Sequence, residues 1–346
     1  MMTALQALGG KRFRLVQVPI PACAATEVRI RVDAVTICTQ WDLHLRRGQP
    51  MFPGHTFHLP YTVGQPGHEA SGVVDAIGSD VRDLRVGDRV SVWRDPGHDV
   101  MGAYAQYVVR AADDAIRVPS LLPAWQTAAV ELAMCVAASV QRLRDVAGIE
   151  GQRVAVSGLG PAGLIAVQLM RAEGAREITG IDPCEQRRAA AEALAPIRTL
   201  SPSEAESALP KRPHATVDVA VDCVGSARSV QFLMDRTREA LGLFGVQREA
   251  YMYRPEHYDR LILCGYPGHH RRDAEYAVRC IERGALDLGA IVTHHYALDE
   301  YEQAIDQLEH QTAVKVCLHP WGVPEALRSA RVLPDAESET LAAGRG

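Results

Sequence analysis

Three glycines and one aspartate have the spacing that most clearly indicates binding chemistry. Gly158, Gly160 and Gly163 form a Gly-x-Gly-x-x-Gly pattern directly after the apolar run 154–156. In such a loop the first glycine permits a tight turn, the second lets a pyrophosphate approach the backbone, and the third lets the helix pack closely on the strand. The N–H groups at the helix start then face the phosphates. We therefore predict a dinucleotide-binding strand–loop–helix–strand unit; an ordinary glycine turn in an α/β protein is the alternative.

The rest of this unit indicates which dinucleotide is bound. Pro161 and Ala162 complete the loop, and Asp182 stands about 20 residues beyond the last glycine, at the end of the second predicted strand. A carboxylate at that point hydrogen-bonds the adenosine ribose hydroxyls and repels a 2′-phosphate. The pattern therefore predicts NAD as the cofactor.

A second set of residues has the chemistry of a metal site. Cys38 follows the alternating apolar run 28–37, which predicts a half-buried strand, and His68 and Glu69 stand where another strand begins. A thiolate and an imidazole are ligands that suit zinc. By spacing alone, a buried thiol, a loop histidine and a surface acid explain these residues equally well.

The bulk composition narrows the possible partners. The 346-residue chain carries a formal net charge of −5, which gives no basic surface for nucleic acid. Its most apolar stretch is broken by glycines and Pro161, short of a membrane span. The start of the chain lacks the pattern of a secretory signal, and eight cysteines are scattered without framework spacing. We expect a cytoplasmic protein with reduced thiols, no membrane or nucleic-acid partner, and a small-molecule substrate.

The secondary-structure signals predict two kinds of architecture. Short strands at 28–37, 72–77, on both sides of a turn within 83–92, and at 102–109 indicate a barrel-like β domain. A helix at 128–146 leads into the dinucleotide unit, and the apolar runs 217–224, 240–246 and 261–264 continue a doubly wound parallel sheet of about six strands. After residue 288, a strand, a helix and a final strand are expected to rejoin the first domain, and the tail from 325 is expected to be loosely held.

Several segments together resemble the medium-chain dehydrogenase/reductase superfamily, in its zinc-dependent alcohol, polyol and threonine dehydrogenase branch. They are ICTQWDLH, GHEASGVVDAIGSDVRDLRVGDRV, VSGLGPAG and IVTHHYALDEYEQAI. The resemblance implies a GroES-like β-rich catalytic domain at 1–130, a Rossmann domain at 131–290, and a return to the catalytic domain with a tail at 291–346. It also implies NAD-dependent interconversion of an alcohol and a carbonyl compound at a catalytic zinc.

The same resemblance implies the metal ligands. Cys38 and His68 would be the first two, and Glu69 would ligate the metal or hydrogen-bond beside it. The stretch ELAMCVAASV is similar to one in polyol-type members, which makes Glu131 the third ligand or an acid bonded to zinc-bound water. Cys135, four residues on, is the competitor, and a small core residue is its alternative role. Relatives with a second, structural zinc carry four close cysteines, where this chain has only WRDPGHDVM between Val92 and Gly102, so one zinc per chain is expected.

The remaining functional residues follow from the same comparison of motifs. The resemblance implies a proton relay through Thr39 and His44, with Asp42 orienting His68; Gln40 replaces the usual hydroxyl residue. Arg187 would contact the cofactor ribose, and the chain would form a dimer or tetramer.

The substrate pocket and the rival functions are less closely defined. The predicted pocket residues favour a polar alcohol such as a polyol, sugar or cyclitol derivative: Trp41, His55, His58, Trp93, Arg94 and His98. A zinc-free NADPH-dependent enone or quinone reductase of the same superfamily and a catalytically silent NAD-binding regulator are the alternatives.

Overall fold

The computed structural model of the chain describes residues 1–51 and 56–328. Its strands are β1 (Met2–Gly9), β2 (Arg12–Val18), β3 (Glu27–Thr36), β4 (Glu69–Ile77), β5 (Arg89–Val92), β6 (Tyr107–Ala111), β7 (Ala115–Arg117), β8 (Arg153–Ser157), β9 (Glu177–Ile181), β10 (Arg198–Leu200), β11 (Val217–Asp222), β12 (Thr237–Leu243), β13 (Ile262–Gly265), β14 (Val292–Ala297) and β15 (Lys315–His319). Its α-helices are α1 (Thr39–Arg47), α2 (Val130–Ala147), α3 (Pro161–Ala172), α4 (Glu185–Leu194), α5 (Pro202–Ala208), α6 (Ala227–Met234), α7 (Arg271–Glu282), α8 (Tyr301–Glu309) and α9 (Glu325–Arg328).

The first large sheet is mixed and has seven strands. Its strand order is β14-β15-β3-β4-β5-β7, and β6 also pairs with β3. β3 is central because it pairs with β4, β6 and β15, and its alternating residues Val28, Ile30, Val32 and Ala34 are buried, as its period of two predicts. Two strand predictions were wrong in extent: β5 starts only at residue 89 and β6 only at 107. Residues 83–88 and 102–106, which were predicted to be extended, lie outside these strands.

The second large sheet is parallel and has six strands. Its order is β10-β9-β8-β11-β12-β13, which in chain sequence reads 3-2-1-4-5-6. Strands β8 and β11 at its centre are apolar and buried on both faces, as helices on each side require. The predicted fold class, a GroES-like β-rich domain combined with a doubly wound parallel sheet, is therefore confirmed.

The chain returns to the first sheet after the sixth parallel strand. β14 pairs with β15, and β15 pairs antiparallel with β3, as predicted for the return segment. The domain limits at 130 and 290 stay a prediction. Among the helices of residues 1–51 and 56–328, none combines the length and apolar character needed to cross a bilayer.

Candidate active site

The glycine loop has the geometry that a dinucleotide site requires. Gly158 has φ +87°, which favours glycine, and a Cβ on Gly163 would lie 1.7 Å from the Gly158 carbonyl oxygen. A Cβ on Gly160 would meet no atom within 4 Å, so the space beside it is open to a ligand. Gly160 is the N-cap of α3, which begins at Pro161 and has no acidic residue in its first turn. The free N–H groups of this helix start are therefore available to an anion.

Asp182 lies at the carboxyl end of β9, next to this loop. Its two carboxylate oxygens accept hydrogen bonds of 2.8 Å from the backbone N–H groups of Leu159 and Cys184. The Arg187 guanidinium lies 3.9 Å from the same carboxylate. The acid thus ties the glycine loop to the second strand and places a carboxylate and a cation where an adenosine ribose would lie in a Rossmann site.

Cys38, His68 and Glu69 converge at one end of the β3–β4 strand pair. Thr36, the last residue of β3, is opposite Glu69, the first residue of β4. Cys38 follows as the N-cap residue of α1 and His68 immediately precedes β4, so the pairing brings them together. One ligand atom from each of the three lies within 4.8 Å of the others.

The His68 ring is oriented with one nitrogen facing the cluster. Its Nδ1 donates to the Pro66 carbonyl at 2.8 Å, and Nε2 lies 3.8 Å from a Glu131 carboxylate oxygen. Burial by itself would lower the pKa of His68. The hydrogen bond and negative charge of Cys38, with the charges of Glu131 and Glu69, outweigh burial and raise that pKa well above its usual value. The anionic surroundings therefore favour a cation at this point, as a zinc site requires.

Glu69 is held by protein groups. Lys315 Nζ lies 2.7 Å and 2.6 Å from its two oxygens, and Thr36 Oγ1 donates to it at 2.5 Å. All three side chains are buried. The structure therefore favours the hydrogen-bonding role over the ligand role for Glu69.

Glu131 and Cys135 extend the cluster along one face of α2. Cys135 Sγ lies 3.5 Å from Glu131 Oε1 and 3.5 Å from Nδ1 of His269, which follows β13. The same His269 nitrogen lies 2.6 Å from the Tyr266 hydroxyl. Glu131 thus faces His68, whereas Cys135 faces the loop after β13, so the two rivals for the third ligand are distinguished by their neighbours.

Asp42 has a different set of contacts from the expected one. Its carboxylate accepts hydrogen bonds from the Tyr104 hydroxyl at 3.0 Å and the Tyr301 hydroxyl at 2.7 Å. The Pro66 carbonyl accepts the hydrogen bond of His68 Nδ1, so the orienting role of Asp42 stays a prediction. Complete burial raises the pKa of Asp42 to about 6, against the lowering effect of the two hydroxyls.

The predicted relay residues lie on α1. Thr39 is the first residue of this helix, directly after Cys38, and His44 lies in its last turn. His44 Nε2 lies 3.1 Å from Nη2 of Arg248, on the loop after β12. His44 therefore connects α1 with the loop after β12, and its part in a relay stays a prediction.

The loop between β5 and β6 carries part of the predicted pocket. The His98 and Trp41 ring centroids are 4.1 Å apart. Gln65 Nε2 donates to the carbonyls of Gly97 and Val100, and the buried Arg110 donates to that of Met101. These side chains hold the loop at the place where some relatives carry four cysteines.

The other predicted pocket residues are more scattered. Trp93 is buried in the core and donates its indole N–H to the Asp113 carbonyl, and its place in the pocket stays a prediction. Arg94 is largely exposed and lies 3.7 Å from Asp114, and His58 is exposed. His55 lies outside the described residues.

Sequence reasoning missed Lys315, His269, Tyr104 and Tyr301. His269 had a detectable signal, because ligand-binding residues follow the carboxyl ends of parallel strands and His269 comes soon after the last one. A lysine within the apolar run KVCL was a weaker signal of a buried ion pair. The two tyrosines are far from Asp42 in the chain and had no signal.

We predict that Gly163→Ala destabilises the fold by about 3 kcal/mol, because the new methyl group overlaps the Gly158 carbonyl. Gly160→Ala is the matched control, since its methyl group enters open space and its φ of −71° suits any residue. It should change stability by less than about 0.5 kcal/mol. Urea unfolding measures both; equal losses would contradict the packing role of Gly163.

We predict a pH-dependent stability term from Asp42. Because its folded-state pKa is raised to about 6, the stability it contributes is fully present below its unfolded pKa of ~4 and is lost as the pH rises through 6. At ~1.4 kcal/mol per pKa unit, the wild type should lose about 2 kcal/mol relative to Asp42→Asn between pH 4 and pH 7. Denaturant unfolding at both pH values tests this, with the exposed Asp299→Asn as control. A pH-independent difference would show that Asp42 has an ordinary pKa.

Comparison with known proteins gives the family context of this site. Residues 24–120 match the alcohol dehydrogenase GroES-like domain. The L-threonine 3-dehydrogenase of Anaeromyxobacter sp. (strain Fw109-5) is 26% identical over 338 residues, covering 88% of this chain and 94% of that protein.

Solved structures agree over a similar extent. The 2R,3R-butanediol dehydrogenase of Bacillus subtilis superposes with a TM-score of 0.79 at 23% identity, covering 92% of this chain and 100% of that one. A protein of Sinorhizobium meliloti 1021, described as a candidate zinc-binding dehydrogenase and solved with NADP, gives 0.78 at 25% identity, covering 92% and 99%. Together with the fold and the converging site, these matches indicate a dehydrogenase that is similar to the medium-chain dehydrogenase/reductase superfamily over most of its length.

Proposed function

We propose that this dehydrogenase transfers a hydride between NAD(H) and a polar secondary alcohol or its ketone at a single catalytic zinc. The observation that carries the proposal is the convergence of Cys38 and His68 within 4.8 Å, with the Glu131 carboxylate 3.8 Å from His68. His269, which follows the last parallel strand, reaches the same helix face as Glu131. The candidate metal ligands thus lie next to the loop that follows the last strand of the cofactor-binding sheet.

The donor set fits zinc. A thiolate, an imidazole and a carboxylate are all ligands of this ion, and catalytic sites use three protein ligands with one open position. We assign Cys38, His68 and Glu131 as these ligands, because Lys315 and Thr36 already occupy the oxygens of Glu69. When bound, zinc supplies Lewis-acid polarisation of the substrate oxygen, which lowers the pKa of an alcohol and favours loss of a hydride.

The protein groups around this position supply orientation and charge. Pro66 fixes the His68 ring with Nε2 turned inward, and the Lys315 ammonium neutralises Glu69 beside it. Lys315 thus compensates the charge of Glu69. Among the described residues, the ion-pair partner of Glu131 is His68. We infer that this arrangement concentrates negative charge on the ligand side of the cluster.

The proposed cofactor preference depends on Asp182 and Arg187. A carboxylate next to the glycine loop favours ribose hydroxyls and opposes a 2′-phosphate. The Sinorhizobium relative was solved with NADP, so the two cofactors have to be compared directly in this chain. Both carboxylate oxygens of Asp182 already accept one hydrogen bond, but each has a second lone pair for a ribose hydroxyl.

The proposed substrate class is supported by the residues near the cleft and by the relatives. Histidine, tryptophan and tyrosine side chains dominate the described contacts around His98 and His269. The matched proteins include a threonine and a butanediol dehydrogenase, both named for hydroxyl-bearing polar substrates. The zinc-free reductase alternative leaves the convergence of Cys38 and His68 unexplained. A cytoplasmic dimer or tetramer is part of the proposal, and sizing in solution tests the assembly.

We predict that kcat/KM is higher with NAD than with NADP. Asp182→Asn should reduce this preference at least tenfold, since it removes the charge that repels a 2′-phosphate but keeps a hydrogen-bond acceptor. Glu185→Gln makes the same change of charge at an exposed neighbouring position and should leave the ratio unaltered. Steady-state kinetics over a panel of polar alcohols measures both. A wild-type preference for NADP would disprove the assignment, and no NAD reduction with any alcohol would favour the silent regulator.

We predict that Glu131→Gln lowers kcat/KM by at least about 10–100-fold and weakens zinc retention, because it replaces a charged ligand by a neutral amide. Cys38→Ala should remove one equivalent of zinc. Cys135→Ala should retain both zinc and turnover, since Cys135 faces His269. Elemental analysis and kinetics on the three variants decide this. Loss of zinc in Cys135→Ala with normal content in Glu131→Gln would make Cys135 the third ligand.

A further inference from the structure

A second group of metal-binding side chains lies on the return strands. His295 of β14 is paired in register with Cys317 of β15, and His319 lies two residues beyond Cys317 on the same strand face. One ligand atom from each of the three lies within 4.8 Å of the others. The parallel pairing of two strands thus brings two imidazoles and one thiol to one point.

The cluster is buried and well ordered by its surroundings. His295, Cys317 and His319 are 5%, 0% and 3% exposed. The Trp125 ring packs edge-on against His295, with centroids 5.1 Å apart. The His319 ring packs on the other side of His295, with centroids 5.2 Å apart, so neighbouring rings hold the His295 imidazole in place.

The distances in the cluster are close to those of a bound ion. Nδ1 of His295 and Nε2 of His319 are 3.0 Å apart. Two nitrogens on one tetrahedral zinc ion lie ~3.3 Å apart, given Zn–N distances of ~2.0–2.1 Å. Only a small movement of the rings therefore separates the hydrogen-bonded pair from a pair of metal ligands. The hydrogen bond between the two rings is the alternative that needs no ion.

We propose that His295, Cys317 and His319 bind one transition-metal ion of the zinc class, at a site separate from Cys38 and His68. Two imidazoles and one thiolate suit zinc, with solvent in the fourth position. On binding, the Cys317 thiol releases its proton to solvent, and the proton shared between the two rings moves to an outer ring nitrogen. The nearby Lys315 is neutralised by Glu69, so its charge does not oppose the ion.

The position of the cluster indicates what the ion would do. β14 is an edge strand of the seven-stranded sheet and β15 is its neighbour. An ion held by one residue of β14 and two of β15 would fasten this edge strand to its neighbour. Two ions per chain would differ from the single zinc expected from the sequence. That expectation rested only on the stretch between Val92 and Gly102, which lacks four close cysteines.

Elemental analysis of the full-length protein, loaded with zinc and dialysed, tests the proposal. The wild type should hold about two equivalents, and Cys317→Ser and His319→Gln should each hold about one while retaining dehydrogenase activity. Cys280→Ser is the control, because Cys280 is a buried cysteine of α7 outside both the candidate active site and the His295–Cys317–His319 cluster, and it should keep the wild-type content. Unchanged zinc content in both cluster variants would overturn the proposal.

A second measurement keeps the test informative if a cluster variant fails to fold. Cys38→Ala removes the thiolate of the candidate active site, so a cobalt titration of that variant reports on the remaining thiols. A thiolate-to-cobalt charge-transfer band that saturates at one equivalent is expected, and it should persist in Cys38→Ala/Cys135→Ala. Absence of the band would overturn the proposal. The inference does not depend on the proposed function, because zinc lost through Cys38→Ala and zinc lost through Cys317→Ser are counted separately.

Discussion

A buried ion pair between Glu69 and Lys315 supports the candidate active site. The two residues are 246 positions apart in the chain, and their side chains are 1% and 2% exposed. Taking two charges out of water is costly, and removal of one partner typically destabilises a protein by ~3–5 kcal/mol because the other charge stays buried. The pair therefore makes β4, which begins beside His68, depend on β15. The candidate site of the first sheet is thus completed by a residue that follows the parallel sheet in the chain.

Helix α2 connects this site to the cofactor-binding sheet. Glu131 and Cys135 are four residues apart and share the face that points toward His68 and His269. The other faces of the helix, including Val136, Val140 and Leu143, are buried in the core of the parallel sheet. One helix thus places a candidate metal ligand next to His68 while it packs against the parallel sheet. Its position is set by burial, and the position of Glu131 follows from it.

Aspartates at the carboxyl edge of the parallel sheet hold the ligand-facing loops. Asp182 accepts hydrogen bonds from Leu159 and Cys184, and Asp222, at the end of β11, accepts them from the Gly225 N–H and the Ser229 hydroxyl. Loop N–H groups that would otherwise be unpaired are satisfied by these carboxylates. The open space beside Gly160 is therefore framed by fixed backbone, which reduces the ordering that cofactor binding would require.

The sequence by itself determined the local features of this protein. The apolar periodicity and the glycine pattern depend on neighbours within one or two turns, so β3, β8 and α3 and the roles of Gly158 and Gly163 could be predicted. Cys38, His68 and Glu69 could be selected from their residue types at predicted strand ends together with the resemblance of their motifs to a known family. Only the tertiary structure decided which partners the polar side chains meet. Asp42 bonds two tyrosines, Lys315 neutralises Glu69, and His295 joins Cys317 and His319, because these contacts depend on the register of strands far apart in the chain, which no local pattern records.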